Sequence, residues 1–191
     1  MKLTRELRDL VKAWFIISLA FAIAFSGRNL FGTEIIVIFI VSAFTVGLGF
    51  ILHELAHRYF ARKYGAKAEF YANNRMLMFA LIFSFFGFIF AAPGAVVIRG
   101  YLTKRKYGHI ALAGPMMNVL LGILFLIIAL FIPETLVVTK PGMMINFWLA
   151  LFNMLPFPIF DGLKVLRWNK IVYGVVLILT IVLTFGHGLL V

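Results

Sequence analysis

The chain has 191 residues, of which 63% are hydrophobic and only 13% charged. That apolar share exceeds what one soluble domain needs for its core, so the solvent for most of the chain is lipid. A net charge of +11 in a soluble protein would raise nucleic-acid binding. Here the basic residues stand in short runs between apolar segments, as orientation signals and contacts for anionic lipid, and no soluble basic module exists to carry nucleic acid. Cysteine is absent. Disulfides, thiolate ligands and a thiol nucleophile go with it, leaving His and carboxylates for any metal.

Taken in order, Lys2, Arg5, Arg8 and Lys12 form a basic flank expected to stay cytoplasmic. Val11 to about Phe25 is expected to cross the membrane. It reads as a first helix rather than a signal peptide, because no small-residue cleavage site follows it cleanly. Gly27-Arg28-Asn29 then turns on the far side, and Glu34 to about Phe60 crosses back. After Gly65, the stretch Ala66 to Tyr71 sets Lys67, Glu69 and Tyr71 against Ala66, Ala68 and Phe70, the alternation of a half-exposed strand. Met76 to Ala91 is an apolar run about 24 Å long as a helix, against a hydrocarbon core of about 30 Å. Pro93-Gly94 ends it, and Ala95 to Ile98 reads as a second strand.

Ile110 to Ile132 crosses outward, with Pro133, Glu134 and Lys140 in the outer loop. Pro141 to Leu155 crosses inward and ends at Pro156-Phe157-Pro158-Ile159-Phe160-Asp161-Gly162. A basic cytoplasmic stretch with Lys164, Arg167 and Lys170 leads into a last helix, Ile171 to Val191. On this map only Arg28 and Lys140 of the 18 Lys and Arg residues lie outside. The expected fold is membrane all-α: a polytopic bundle of about five to six transmembrane helices, with a small membrane-associated β element between the second and third. One integral-membrane domain, 1–191, holds a catalytic core at about 34–162 and further helices at 11–30 and 171–191.

The polar exception is His53-Glu54-Leu55-Ala56-His57. Two His four residues apart on a helix differ by about 40° around its axis, so both rings leave one face. That spacing suits one tetrahedral Zn²⁺, with the Glu54 carboxylate placed to act as general base. A catalytic zinc takes three protein ligands. Of the seven acidic residues, Glu6 and Asp9 lie in the N-terminal tail, and Glu34 and Glu134 fall on the opposite side. Glu69 and Asp161 remain. Glu69 has Lys67 as a same-face partner; Asp161 ends an apolar helix beyond two prolines, where irregular backbone is tolerated if it lines water. Asp161 is therefore the expected third ligand. For it to meet His53 and His57, an odd number of crossings must separate their helices. Met76–Ala91 is then expected to dip in and return, giving five crossings.

The His53–His57 motif late in one helix is paired with Asn153-Met154-Leu155-Pro156-Phe157-Pro158-Ile159-Phe160-Asp161-Gly162 late in another, and Ala113-Gly114-Pro115-Met116-Met117-Asn118 lies between them. Together they resemble the site-2 protease family of intramembrane zinc metalloproteases, from Val37 to about Gly162. The resemblance implies one zinc per chain held by His53, His57 and Asp161, with Glu54 as general base and Asn153 as a hydrogen-bond donor to the reacting carbonyl. It also implies a substrate that is a membrane protein with a transmembrane helix, and the charge map sets the expected active site toward the cytoplasmic side of the cell membrane. Asn118 shares a helical face with Ala111, Pro115 and Gly122 and reads equally as an interhelical hydrogen bond or as a group at the site. The chain leaves no room for the PDZ or CBS domains of many members, and Phe160 stands where the family commonly has Leu. Outside this family, a polytopic transporter or a non-catalytic membrane scaffold with a metal site would also keep His, Glu and Asp in lipid.

Overall fold

The computed structural model describes residues 2–27, 32–87, 89 and 93–189. It is mostly helical, with seven helices and one two-stranded antiparallel sheet among the described residues. In chain order these are α1 (Lys2–Phe25), α2 (Glu34–Lys63), β1 (Lys67–Ala72), α3 (Asn74–Ser84), β2 (Gly94–Arg99), α4 (Lys104–Phe131), α5 (Leu136–Asn153), α6 (Gly162–Trp168) and α7 (Lys170–Gly186). Among the described residues, three helices are long and apolar enough to cross a membrane: α2, α4, and α5 with the 3₁₀ turn Pro133–Thr135 before it. The chain forms two compact units, one from 1–51 and 69–97, the other from 52–68 and 98–191.

In the first unit, α1 meets α2 through small residues. Gly47 of α2 has no room for a side chain, because a Cβ there would strike Ser18 Oγ and the Trp14 ring. The Trp14 indole N–H donates to the Ala43 carbonyl at 3.0 Å. Residues Ala43–Gly47 form a π turn, an extra residue in the helical register that small side chains tolerate.

The basic flank does not stay outside the first helix. Glu6, Asp9, Leu10 and Ala13 recur at three- and four-residue spacing, so α1 extends back to Lys2 and buries that face. Glu6 accepts the Phe70 N–H at 3.1 Å and Asp9 the Ala72 N–H at 3.4 Å. Asn73 N–H bonds to Pro93 O across the hairpin at 2.8 Å. The antiparallel alternation therefore points the Phe70 and Ala72 amides to the outer edge of β1. The two acids, taken from the sequence as tail residues, in fact close that edge.

The apolar run 76–91 yields a shorter helix than its composition suggests. Asn73 caps α3 by accepting the Met76 N–H, and the helix ends at Ser84 before a turn through Gly87 at φ +77°. Its 11 residues span about 16 Å, roughly half the hydrocarbon core. Residues 88 and 90–92, and the turn residues Arg28 and Asn29, lie outside the described set.

The second unit packs α4 against α5 and α6, and α5 against α7. Gly122 of α4 lets the Phe147 ring of α5 lie on its backbone. Helix α5 starts at Leu136, ahead of Pro141, whose missing N–H falls early in the helix. Between Asn153 and α6 the chain is irregular over 154–161. Gly162 brings it back against Met154: a Cβ there would strike that residue's carbonyl group.

Glu6 makes a buried charge-assisted bond, so Glu6→Ala is expected to lose about 1.5–3 kcal/mol. A thermal unfolding comparison with Glu34→Ala, at an exposed helix start, checks this; equal midpoints would contradict it.

Candidate metal centre

All the groups of this site belong to the second unit. On the second half of α2, His53, Glu54 and His57 are each less than one-tenth exposed, as is Asp161. The two rings stand edge to face with centroids 4.6 Å apart. Their Nε2 atoms are 3.0 Å from one another, and Asp161 Oδ2 lies 3.4 Å from His53 Nε2 and 2.9 Å from His57 Nε2. Among the described residues, these three side chains form the one cluster of His, Asp and Glu that can hold a metal ion. Glu69, the alternative ligand, accepts the Tyr71 hydroxyl at 2.9 Å.

The outer nitrogens decide what the inner ones can do. His53 Nδ1 lies 2.6 Å from Asn118 Oδ1, and His57 Nδ1 lies 2.7 Å from the Ile110 carbonyl oxygen. Both oxygens only accept, so both Nδ1 atoms carry the ring proton in the neutral imidazoles, and both Nε2 atoms present lone pairs. Two such nitrogens and a carboxylate oxygen converge on one point, which calls for a further proton or a cation among them. That donor set of two imidazoles and one carboxylate, braced from behind, fits Zn²⁺. Gly114 of α4 leaves the space open, since a Cβ there would fall on both Nε2 atoms.

Asp161 is divided between two partners. While Oδ2 faces the rings, Oδ1 accepts the Lys164 ammonium at 2.8 Å. Burial by itself pushes the Asp161 carboxyl up, but His57, His53 and Lys164 outweigh it and hold it well below the usual range. Burial likewise disfavours the Lys164 ammonium, yet Asp161 first, then Tyr107 and Glu54, raise its pKa.

Asn118 is fully buried and joined to His53. Asn153, at the end of α5, is half-buried, and its Nδ2 donates to the Leu149 carbonyl of its own helix at 2.9 Å. Three participants went unread in the sequence. Lys164 stands three residues after Asp161, spacing that an i, i+3 pair would have flagged. Asn146, fully buried in α5, donates to Gly142 O and accepts from Asn118; a lone amide in an apolar helix is itself a signal. The Ile110 carbonyl has no side-chain signature at all.

Among curated proteins, the chain is 48% identical over 177 residues to "Putative zinc metalloprotease MJ0611" of Methanocaldococcus jannaschii, a match covering 90% of this chain and 88% of that protein. It is 30% identical over 121 residues to "Zinc metalloprotease MJ0392" of the same organism, covering 61% of this chain and 30% of the relative. No family model and no solved structure matches the chain.

Replacing Lys164 with Met leaves Asp161 Oδ1 without its ammonium, and zinc affinity is expected to fall about 10–100-fold, with Lys164→Arg near the starting value. Chelator competition on the purified chain measures both. Gly114→Val is expected to exclude the metal altogether, read as zinc content per chain.

Proposed function

Because the chain belongs to the zinc metalloprotease family of these archaeal relatives, we propose that it is an intramembrane protease of the site-2 type, cutting a peptide bond within or next to a transmembrane helix. The observation that carries this reading is the meeting of His53, His57 and Asp161 around one point, on a chain whose long helices suit lipid. Zinc, when bound, supplies Lewis acidity for the scissile carbonyl and lowers the pKa of water to about 7. His53, His57 and Asp161 are the residues that would hold it. Glu54, buried one residue from the first ligand, takes the proton of the attacking water and returns it to the leaving amine, a role typically worth about 10²–10⁴ in rate. Lys164 acts on both carboxylates at once, bonded to Asp161 and electrostatically felt by Glu54. Asn153 exchanges its bond to Leu149 O for one to the developing oxyanion, and its loss is expected to cost about 10²–10³ in rate.

The membrane reading is five crossings with the site on the cytoplasmic side. Supporting it are the concentration of Lys and Arg on one side of the map and the shortness of α3. Helix α1, and α7 with its 17 residues, complete the count beside α2, α4 and α5.

A substrate helix buries its peptide bonds in its own hydrogen bonds and must unwind before attack. Strand addition would hold the unwound segment extended. Glu6 and Asp9 already bond the outer edge of β1, so β2 supplies the edge. By the same alternation, the Val96 N–H points outward from the hairpin. Val96→Pro removes that donor without removing a bond between the two strands. Cleavage is expected to fall while zinc content stays normal; unchanged cleavage would exclude strand addition at β2.

Activity itself is tested with purified protein and a single-span membrane substrate. Chelator, Glu54→Gln and Asp161→Ala are each expected to abolish cleavage, with zinc kept by Glu54→Gln and lost by Asp161→Ala. Cleavage by Glu54→Gln at the unmodified rate would sink the proposal.

A further inference from the structure

The metal end of the second unit carries a block of positive charge that the chemistry above does not use. Lys104, Arg105 and Lys106 fill the first turn of α4, Arg167 stands in the last turn of α6 and Lys170 begins α7, and all five are exposed. Among the described residues no carboxylate pairs with any of them. The carboxylates of this unit lie elsewhere. Glu54 and Asp161 are buried at the metal centre, and Glu134 sits in the turn beyond the far end of α4, about 42 Å away along that helix.

Contacts within the unit draw the five together. Gly108 of α4 lies on Trp168 of α6, where a Cβ would strike the indole, and the His109 ring stands edge to face with the same indole, centroids 4.6 Å apart. Lys104 precedes Gly108, and Arg105 precedes His109, by one turn of α4, so both extend the face that meets Trp168. Arg167 and Lys170 flank that tryptophan in the chain. Trp168 itself follows Lys164 by one turn of α6, about 6 Å along the axis, and the Lys164 ammonium is bonded to Asp161. The block therefore begins one helical turn from the metal centre's own lysine.

Folding does not account for this placement, since cations in the first turn of a helix oppose its dipole. Orientation in the membrane counts the basic residues on one side and does not ask that they converge on one tryptophan beside the metal centre. We infer that the block selects the substrate: it binds an acidic segment flanking the transmembrane helix to be cut, an inference that rests on the protease reading above. The charges draw such a segment in from a distance and hold it beside the centre that cuts it. They also turn away the ordinary membrane protein, whose cytoplasmic flanks are basic, so the choice is made by repulsion as well as attraction. An anionic lipid headgroup would satisfy the charge but stands in no relation to the peptide bond.

The test uses the full chain, loaded with zinc, in a zwitterionic detergent free of anionic lipid. Three single-span substrates differ only in the flank on the metal side, which carries Asp, Ser or Lys. At about 20 mM salt, kcat/KM is expected to be about 10-fold higher for the Asp flank than for the Lys flank, and the gap to close at about 500 mM, where screening shortens the reach of the charges. Lys104→Glu combined with Arg105→Glu is expected to reverse the order while zinc content stays that of the unmodified chain. Binding of the three substrates to Glu54→Gln, which keeps zinc without turnover, reads the block apart from the chemistry. Cleavage at one rate whatever the flank overturns the inference and leaves the protease standing. Flank-ordered binding with no cleavage by the unmodified chain supports the block and sinks the protease reading alone. Flank-independent cleavage that rises with added phosphatidylglycerol assigns the block to lipid and also overturns the inference. Where the double variant does not fold, the order of the three flanks on the unmodified chain, at low and at high salt, decides.

Discussion

Electrostatic crowding at one point governs the second unit. Two ring nitrogens and a carboxylate oxygen, within 3.4 Å of one another on residues less than one-tenth exposed, repel unless positive charge, a further proton or a cation, lies among them. In lipid the cost of leaving such a cluster uncompensated is severe. Everything that touches it answers to that requirement. The carbonyl of Ile110 and the side-chain oxygen of Asn118 hold a ring proton on each outer nitrogen, and Lys164 neutralises the far oxygen of Asp161. A site so arranged has its ligand geometry set before any ion arrives, which is the condition for tight and selective binding.

Close approach is the second theme, and it is made by absent side chains. Gly114 gives the imidazoles their clearance and Gly162 folds the proline-broken loop onto Met154. In helices that lipid does not squeeze together, dispersion at short range supplies much of the adhesion, and small residues are what permit it. The loop matters most here. Pro156 and Pro158 deny it a helix, and Gly162 returns it, so Asp161 is delivered by backbone geometry rather than by a long flexible arm.

How much of this could be read from the residues follows from how local each cause is. The spacing of His53 and His57 and the isolation of Asp161 among few acids are local facts, and they pointed at the cluster before any coordinates. Helix α3 was overestimated because apolar composition continues past Ser84, while its end is set by the turn at Gly87. Glu6 and Asp9 were misjudged for the opposite reason. Charge made them look like tail residues, and only the partner amides on β1, more than sixty positions away, explain their burial. Asn146 needed a three-bond chain across two helices to acquire meaning, and no periodicity within α5 encodes that. Asn153 was assigned from resemblance alone, and its amide rests on its own helix at Leu149.

The α1 carboxylates that close the outer edge of β1 also bear on how copies of this protein behave in a crowded membrane. Fibre-like growth requires every unit to offer two unsaturated flanks, one for the neighbour on each side. With one flank capped from within, the hairpin has valence one: it can host a single guest, and the series stops there. If β2 takes a substrate strand as proposed, its bare backbone is thereby kept from polymerising.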